Sequence, residues 1–419
     1  MTDVLDELRW RGLVAQTTDE EALQEALSAG PVTVYCGFDP TAPSLHFGNL
    51  VQLIVLRHLQ RAGHRVIGLV GGSTGLIGDP RPSSERVLKT KEQTAADVER
   101  IAVQVRRILL DDDGSAPMFV NNLDWTEPIS ALDFLREYGK HFRVNQMIKK
   151  DAVAARLNSE EGISYTEFSY QILQALDFLQ LYREYGCTLQ TGGADQWGNL
   201  TAGVDLIHRV EGGTAHVLTT PLLTDASGEK FGKSLGNSVW LDPGMTSPYA
   251  FYQYFLNIED ASVVKLLKVF TWRTRDEIDE LAAQVADEPF RRSAQRALAS
   301  DITTLVHGAA ATAAVQAASE ALFGKGDLPS LDVGTLTDAT AELPGADVAP
   351  GDELVDAMVA CGLAESRKAA RRTIDEGGAS LNNVKITEAD RRLVEDDFLH
   401  GRVAVLKRGR RHQAALRRS

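Results

Sequence analysis

His46 and Gly48 sit where a strand-like run gives way to a helix-like one, and Lys230 and Lys233 sit three residues apart in a glycine-rich stretch far downstream. Imidazole, ammonium and exposed backbone N–H are groups that hold phosphate. The first segment, Pro40-Thr41-Ala42-Pro43-Ser44-Leu45-His46-Phe47-Gly48-Asn49, opens a run in which Leu50, Leu53, Ile54 and His58 recur at helical spacing. A helix start offers unpaired N–H groups and a positive dipole end, so His46 borders a natural berth for anions. Gly48 has no side chain to keep a ligand off the backbone. The second segment, Gly228-Glu229-Lys230-Phe231-Gly232-Lys233-Ser234, has the glycines of a mobile loop and the cations that stabilise a polyphosphate. Each alone is ambiguous, because a histidine there is often a helix cap and Lys-x-x-Lys is often solvated surface. Together, in this order, they read as two halves of one polyphosphate site.

Alternating elements must bring the halves together. Strand signals fall at 32–38, 65–70, 118–121, 188–191 and 216–220, and helix signals at 45–62, 91–109, 130–138, 166–185 and 196–209. That alternation predicts an α/β fold with a doubly wound, Rossmann-like parallel sheet over residues 1–247, whose ligands bind beyond the carboxyl ends of the strands. A stretch at about 123–164 interrupts it and carries Phe134, Tyr138, Phe142, Val144 and Met147, which suit either a local core or an interface. Residues 248–323 read as a small α-helical domain, and 324–350, rich in Gly, Pro and acidic residues, as a linker. Residues 351–419 read as an α+β domain with helices at 353–361 and 366–376 and strands at 379–384 and 402–407. The Gly71-Gly72-Ser73-Thr74-Gly75 cluster lacks the Gly-Lys-Ser/Thr of a Walker loop and reads as a turn, either plain or admitting a ligand closely.

At 419 residues and 43% hydrophobic content, two or three domains are expected. No apolar run approaches the ~20 residues of a membrane span. Residues 1–11 carry Asp3, Asp6 and Glu7 and no apolar leader core. Cys36, Cys187 and Cys361 are scattered, which disfavours a disulfide framework or a zinc site, and a cytoplasmic location is expected. The net charge is −14, yet residues 366–419 hold 14 basic against 7 acidic residues. A basic terminal module on an acidic body points to a nucleic-acid partner.

The two phosphate segments resemble the HIGH-type and KMSKS-type signatures of class I aminoacyl-tRNA synthetases. Tyr35-Cys36-Gly37-Phe38-Asp39-Pro40-Thr41, Thr166-Glu167-Phe168-Ser169-Tyr170-Gln171-Ile172-Leu173-Gln174-Ala175-Leu176-Asp177 and Gly192-Gly193-Ala194-Asp195-Gln196-Trp197-Gly198-Asn199 are similar to the bacterial tyrosyl group of that family. Most of the first 240 residues take part. The resemblance implies a homodimeric ligase that joins L-tyrosine to its tRNA using ATP, with Mg²⁺ carried by the nucleotide and no protein metal site. It implies that Thr41 and His46 meet the terminal phosphates while Lys230 and Lys233 close over pyrophosphate from a mobile loop at 226–238, with Ser234 beside them. It places Cys36 and Asn49 at the ribose, Asp195 on a ribose hydroxyl, and Gly37, Asp39 and Gly48 along the nucleotide. Tyr35 and Asp177 then pair with the substrate phenol, Asp79, Tyr170 and Gln174 bind its α-ammonium, and Gln196 orients its carboxylate. The 123–164 insertion helps form the dimer interface in relatives.

By spacing alone, Tyr170, Gln174 and Asp177 form a polar stripe opposite Ile172, Leu173, Leu176 and Leu179, and such a stripe is usually solvated. The motif match overrides that reading. One departure stands out: Gly78-Asp79-Pro80-Arg81-Pro82-Ser83-Ser84-Glu85-Arg86 lacks the lysine that many relatives carry after Asp-Pro, leaving Arg86, or else Arg81, as the substitute cation. The last domain resembles the RNA-binding domain named after the fourth small-subunit ribosomal protein, with Arg367, Lys368, Arg371 and Arg372 on its second helix. Two rivals remain: a nucleotidyltransferase making another adenylate, and an RNA-binding regulator that kept the fold without catalysis. The first would need neither the Tyr35 and Asp177 pair nor the basic module, and the second would not need intact His46, Lys230 and Lys233.

Overall fold

The computed structural model describes residues 3–80, 88–109, 116–160, 162–224, 231, 238–323, 326–409 and 412–419. It contains two compact units, Met1–Met245 with Ile258–Ala294, and Thr246–Asn257 with Gln295–Ser419.

The first unit is built on six strands: β1 (Gln16–Thr17), β2 (Thr33–Phe38), β3 (Arg65–Val70), β4 (Met118–Asn121), β5 (Cys187–Gly193) and β6 (His216–Thr220). Their order is β1-β6-β5-β2-β3-β4, all parallel except the short β1 on the edge. β2 reads Thr-Val-Tyr-Cys-Gly-Phe, and β3 and β6 are nearly continuous apolar and β-branched runs, as expected of parallel strands covered on both faces. The chain runs from β2 outward through β3 to β4, then returns to the other side of β2 for β5 and β6. That reversal is the switch point at which a doubly wound sheet binds ligands. Pairing of β2 with β3 runs on to Phe38↔Val70 and that of β5 with β6 to Gly193↔Thr220, but β2 and β5 pair only as far as Tyr35↔Gln190. The sheet therefore opens at its carboxyl end between the two strands that carry Cys36-Gly37 and Gly192-Gly193.

The helices end where local chemistry stops them. Thr90 and Gln93 form a reciprocal cap at the start of Lys91–Ile108, and Gly186 (φ 59°) terminates Tyr165–Tyr185 in the left-handed conformation that glycine tolerates. Ile172, Leu173, Leu176 and Leu179 are buried on that last helix, as its pattern requires.

The single helical domain expected over 248–323 is divided between the two units. Asp260–Phe270 packs in the first unit, where the Phe270 ring lies 4.5 Å from Phe47 and Trp272 lies 4.7 Å from His58. Arg11, 4% exposed, donates to the carbonyls of Lys268, Thr271 and Arg273 and so caps that helix from the opposite end of the chain. The helix Pro248–Leu256 instead packs against Ala309–Phe323 and Val333–Ala341 in the second unit.

The linker expected over 324–350 is also corrected. It contains the helix Val333–Ala341 and a strand, β7 (Gly345–Val348), which pairs in parallel with the last strand of the chain. With β8 (Ala379–Leu381), β9 (Val384–Lys385), β10 (Val403–Arg408) and β11 (His412–Arg418) it forms a sheet of order β7-β11-β10-β8-β9. Glycine and proline composition signalled a linker, but six-residue antiparallel pairing of β10 with β11 and burial of Val348 against Leu354, Ala414 and Leu416 make the segment part of a folded core. β11 had no strand signal because His-Gln-Ala-Ala-Leu-Arg-Arg has little intrinsic β preference, and its sheet partners decide its state.

Candidate active site

A cleft of about 420 Å³ occupies the gap between β2 and β5. Every site residue expected in residues 1–224 that lies among the described residues lines it: Tyr35, Cys36, Gly37, Asp39, Thr41, His46, Gly48 and Asn49 from the first segment, Asp79, Tyr170, Gln174 and Asp177 from the next two, and Asp195 and Gln196 from the last. Arg86, Lys230, Lys233 and Ser234 lie outside the described residues, as does Arg81. Gly37 is the exposed position in an otherwise buried β2, so a ligand can lie against bare backbone there.

His46 precedes the helix Phe47–Arg61 and caps it. Gly48 N–H donates to His46 Nδ1 at 3.0 Å, while His46 N–H donates to Asn49 Oδ1 at 3.1 Å. The cap reading and the phosphate reading are thus compatible, because a ring whose Nδ1 accepts carries its neutral-form proton on Nε2. Nε2–H is then a fixed donor at a helix N-terminus.

The chain after the lysine segment is tied to the same place. Phe47 N–H donates to the Val239 carbonyl at 2.8 Å and Leu241 N–H to the Leu45 carbonyl at 2.9 Å, so His46 and Trp240 face each other across an isolated antiparallel bridge. Phe231, which follows Lys230 directly in sequence, sets its ring 6.0 Å from that of Phe47 and donates its N–H to the Leu223 carbonyl at 2.9 Å.

At the other end of the cleft, Asp177 is 3% exposed. Asn122 Nδ2 donates to its Oδ2 and Trp125 Nε1 to its Oδ1, both at 2.9 Å. Burial pushes its carboxyl up to about 7, and the two hydrogen bonds pull the other way. Tyr35, 1% exposed against the Phe178 ring at 5.3 Å, has a hydroxyl with no hydrogen-bond partner among the described residues. An unsatisfied buried hydroxyl is costly, so a polar ligand atom brought against it would be held there. Burial first, then the nearby Asp177, hold the Tyr35 phenol well above its ordinary value, so it stays a neutral donor or acceptor. Burial likewise pushes the Cys36 thiol up to about 12, which leaves it un-ionised and no nucleophile.

Between the two ends, Tyr170 Oη donates to Asp39 Oδ2 at 2.8 Å and Thr74 Oγ1 to Asp39 Oδ1 at 2.7 Å. Asp39, expected along the nucleotide, thus spends its carboxylate on orienting Tyr170. The solvated reading of the Tyr170, Gln174 and Asp177 stripe is overturned for its two ends, since Tyr170 is 7% exposed. The glycine cluster at 71–75 admits protein rather than ligand: a Cβ on Gly71 would meet Asp39 Oδ1 at 2.0 Å, and one on Gly72 would meet Asn121 Oδ1 at 2.2 Å.

Sequence reasoning missed Asn122, Trp125 and Thr74, which buttress Asp177 and Asp39. Their only signal was position just beyond β4 and β3, at the carboxyl end of the sheet. It also missed Gln52, whose amide joins Thr191 (3.0 Å) and Thr220 (2.6 Å) in the lining of the cleft.

In the second unit, Arg367, Lys368, Arg371 and Arg372 are exposed on the helix Arg367–Asp375, which Ser366 caps. Arg367 pairs with Glu353 and Asp356 and Arg372 with Glu376 at 2.7 Å, whereas Lys368 and Arg371 have no ion pair among the described residues.

A parallel sheet split at its switch point, with a capping histidine and glycine at the helix that follows its first parallel strand, fits the class I tRNA synthetase catalytic domain that the sequence resembles. Residues 27–324 match the tRNA synthetases class I (W and Y), and residues 335–415 match the tyrosine–tRNA ligase SYY-like C-terminal domain. The chain belongs to the first of these families, and it is similar over nearly its whole length to curated tyrosine–tRNA ligases. A tyrosine–tRNA ligase of Leifsonia xyli is 61% identical over 99% of this chain and 94% of its own, and one of Streptomyces coelicolor is 58% identical over 99% of both. Among solved structures, a C-terminally truncated mitochondrial tyrosyl-tRNA synthetase of Coccidioides posadasii covers 75% of this chain and 91% of its own at 32% identity, with a TM-score of 0.67. A tyrosyl-tRNA synthetase of Archaeoglobus fulgidus, solved with L-tyrosine, shares the fold at 18% identity over 74% of this chain and 99% of its own, with a TM-score of 0.56. No helix among the described residues is long and apolar enough to cross a membrane.

Proposed function

We infer that this chain is a tyrosine–tRNA ligase. It activates L-tyrosine with ATP and passes the tyrosyl group to the 3′ end of its tRNA. The observation that carries the substrate is the buried end of the cleft, where the unpartnered Tyr35 hydroxyl and the Asp177 carboxyl suit a ligand that brings a hydroxyl. Phenylalanine would leave the buried Tyr35 hydroxyl unpaired and give Asp177 nothing beyond its bonds from Asn122 and Trp125, which is the physical basis of rejection.

The tyrosine carboxylate, ionised at neutral pH, attacks the α-phosphate; a P–O bond forms and pyrophosphate leaves with the electron pair of the broken one. A ribose hydroxyl of tRNA then attacks the adenylate carbonyl and AMP departs. Neither step needs a protein nucleophile, so the residues supply alignment and charge. His46 Nε2–H and Thr41 meet the phosphates, joined by Lys230, Lys233 and Arg86. The bridge between Leu45–Phe47 and 239–241 supports a shared reach for the histidine and the lysines. Mg²⁺ enters as part of the nucleotide substrate, held by its phosphates. Cys36, Asn49 and Asp195 receive the ribose, and Asp79, Tyr170, Gln174 and Gln196 the amino-acid head.

Two readings concern assembly. Leu132 (79% exposed), Leu135, Val144 and Leu157 leave apolar surface on the insertion, which supports a homodimer through that face, while Tyr138, Phe142 and Met147 serve the local core. The exposed cations of Arg367–Asp375 support tRNA binding by phosphate contact, and three buried free cysteines fit action in the cytoplasm.

Pyrophosphate exchange with each of the twenty amino acids tests the assignment. Exchange should depend on tyrosine, and Asp177→Ala should lose the preference over phenylalanine. Exchange driven by another amino acid, or preference intact in the variant, would overturn it.

A further inference from the structure

Lys150 lies within the insertion, immediately before the helix Asp151–Leu157. Its side chain is 12% exposed, and its ammonium sits 3.0 Å from Asp79 Oδ1 and 2.8 Å from Asn199 Oδ1. Asn199, fully buried, donates from Nδ2 to Asp79 Oδ1 at 3.2 Å and to Gln196 Oε1 at 2.8 Å, and Gln196 Nε2 donates to Asp79 Oδ2 at 3.1 Å. The amides are committed to one another, so they fix the carboxylate and its ammonium partner in place.

An alkylammonium on this carboxylate is chemically the headgroup of an amino acid: a compact cation with three donors. We propose that Lys150 is an internal substitute for the substrate's α-ammonium, holding Asp79 until the amino acid binds and yielding it then. This rests on Asp79 being the α-ammonium site. A carboxylate largely withdrawn from water is costly without a cation, so the substitute holds the site's geometry before substrate arrives. Two ammonium groups on one carboxylate repel, so binding exchanges one for the other. The flexible four-carbon stem lets Lys150 leave without moving the backbone. Lys150 is thus a specificity-determining residue that lowers affinity for any amine unable to displace it, and it couples occupancy of the amino-acid pocket to the insertion.

Two ligands isolate the ammonium: tyramine, and 4-ethylphenol, which is tyramine without its amine. Calorimetric titration of the full chain should show that Lys150→Met and Lys150→Gln raise the affinity ratio of tyramine to 4-ethylphenol about 10-fold, the scale of a close charge pair. Lys150→Arg, which keeps the cation, should retain the wild-type ratio. A ratio is insensitive to loss of active protein, so partial misfolding does not blunt the comparison. A ratio unchanged or lowered in both neutral variants overturns the exchange. Asp79→Asn separates the two levels: if it leaves the wild-type ratio unchanged, Asp79 is not the ammonium site and the parent assignment fails instead.

Discussion

Asp177 shows how one residue's environment sets its chemistry. Desolvation raises its carboxyl from an ordinary 3.8 to about 7, against the pull of Asn122 and Trp125. Between those values the folded protein holds a proton that the unfolded chain has released, so stability falls as pH rises from about 4 to about 7 and levels off above. Asp177→Asn has no such group. Its denaturation midpoint relative to wild type should therefore climb across that window, and a pH-independent difference would mean that the carboxyl is not desolvated. Under the proposed function the substrate phenol would be a third partner, favouring the ionised form and connecting tyrosine affinity to the same titration.

At the scale of the element, the helix Phe47–Arg61 is a scaffold whose first turn also carries the donor of the proposed phosphate site. Its first turn is closed by His46 and Asn49, and Phe47 clamps it to Phe270 and Phe231. Gly48 is the position where this double use tolerates no side chain, since a Cβ would meet His46 Cε1 at 2.9 Å and Nδ1 at 3.0 Å. Gly48→Ala should displace the imidazole and cut kcat for tyrosine-dependent exchange roughly 10-fold or more, the usual scale for losing an aligned transition-state donor. Because alanine favours the helix, thermal stability should fall little, by at most ~1–3 kcal/mol from the forced contact. Full activity in the variant would show that the ring is free to relocate without loss. The pattern of apolar residues made this helix legible in the sequence. That Asn49 serves the cap was not legible, because spacing gives neighbours along a helix but not the direction of a hydrogen bond.

Across the whole molecule, the acidic body and basic end divide the labour. Of the four cations on Arg367–Asp375, Arg367 and Arg372 are engaged by carboxylates of their own unit, so Lys368 and Arg371 should carry most of the phosphate attraction. Replacing both with alanine should lower tRNA charging and reduce the slope of log affinity against log salt by roughly 2, while pyrophosphate exchange stays unchanged. An unaltered salt slope would place the tRNA elsewhere. Excision at residue 350 would be a poor substitute for this experiment, since β7 would lose β11 and its sheet with it.

Identity of segments and their order sufficed to indicate the family, the parallel sheet and the residues that line the cleft, because phosphate and phenol chemistry allow few side chains and each was spelled out in a local run. What needed the tertiary structure were the partners of those residues. Asn122 and Trp125 reach Asp177, Thr74 reaches Asp39 and Lys150 reaches Asp79 across 35 to 71 positions of chain. The allocation of 248–350 was decided in the same way, by strand pairing and side-chain packing with distant segments. Such contacts arise only when the sheet brings its strand ends together, and no local periodicity encodes which distant side chain will arrive there.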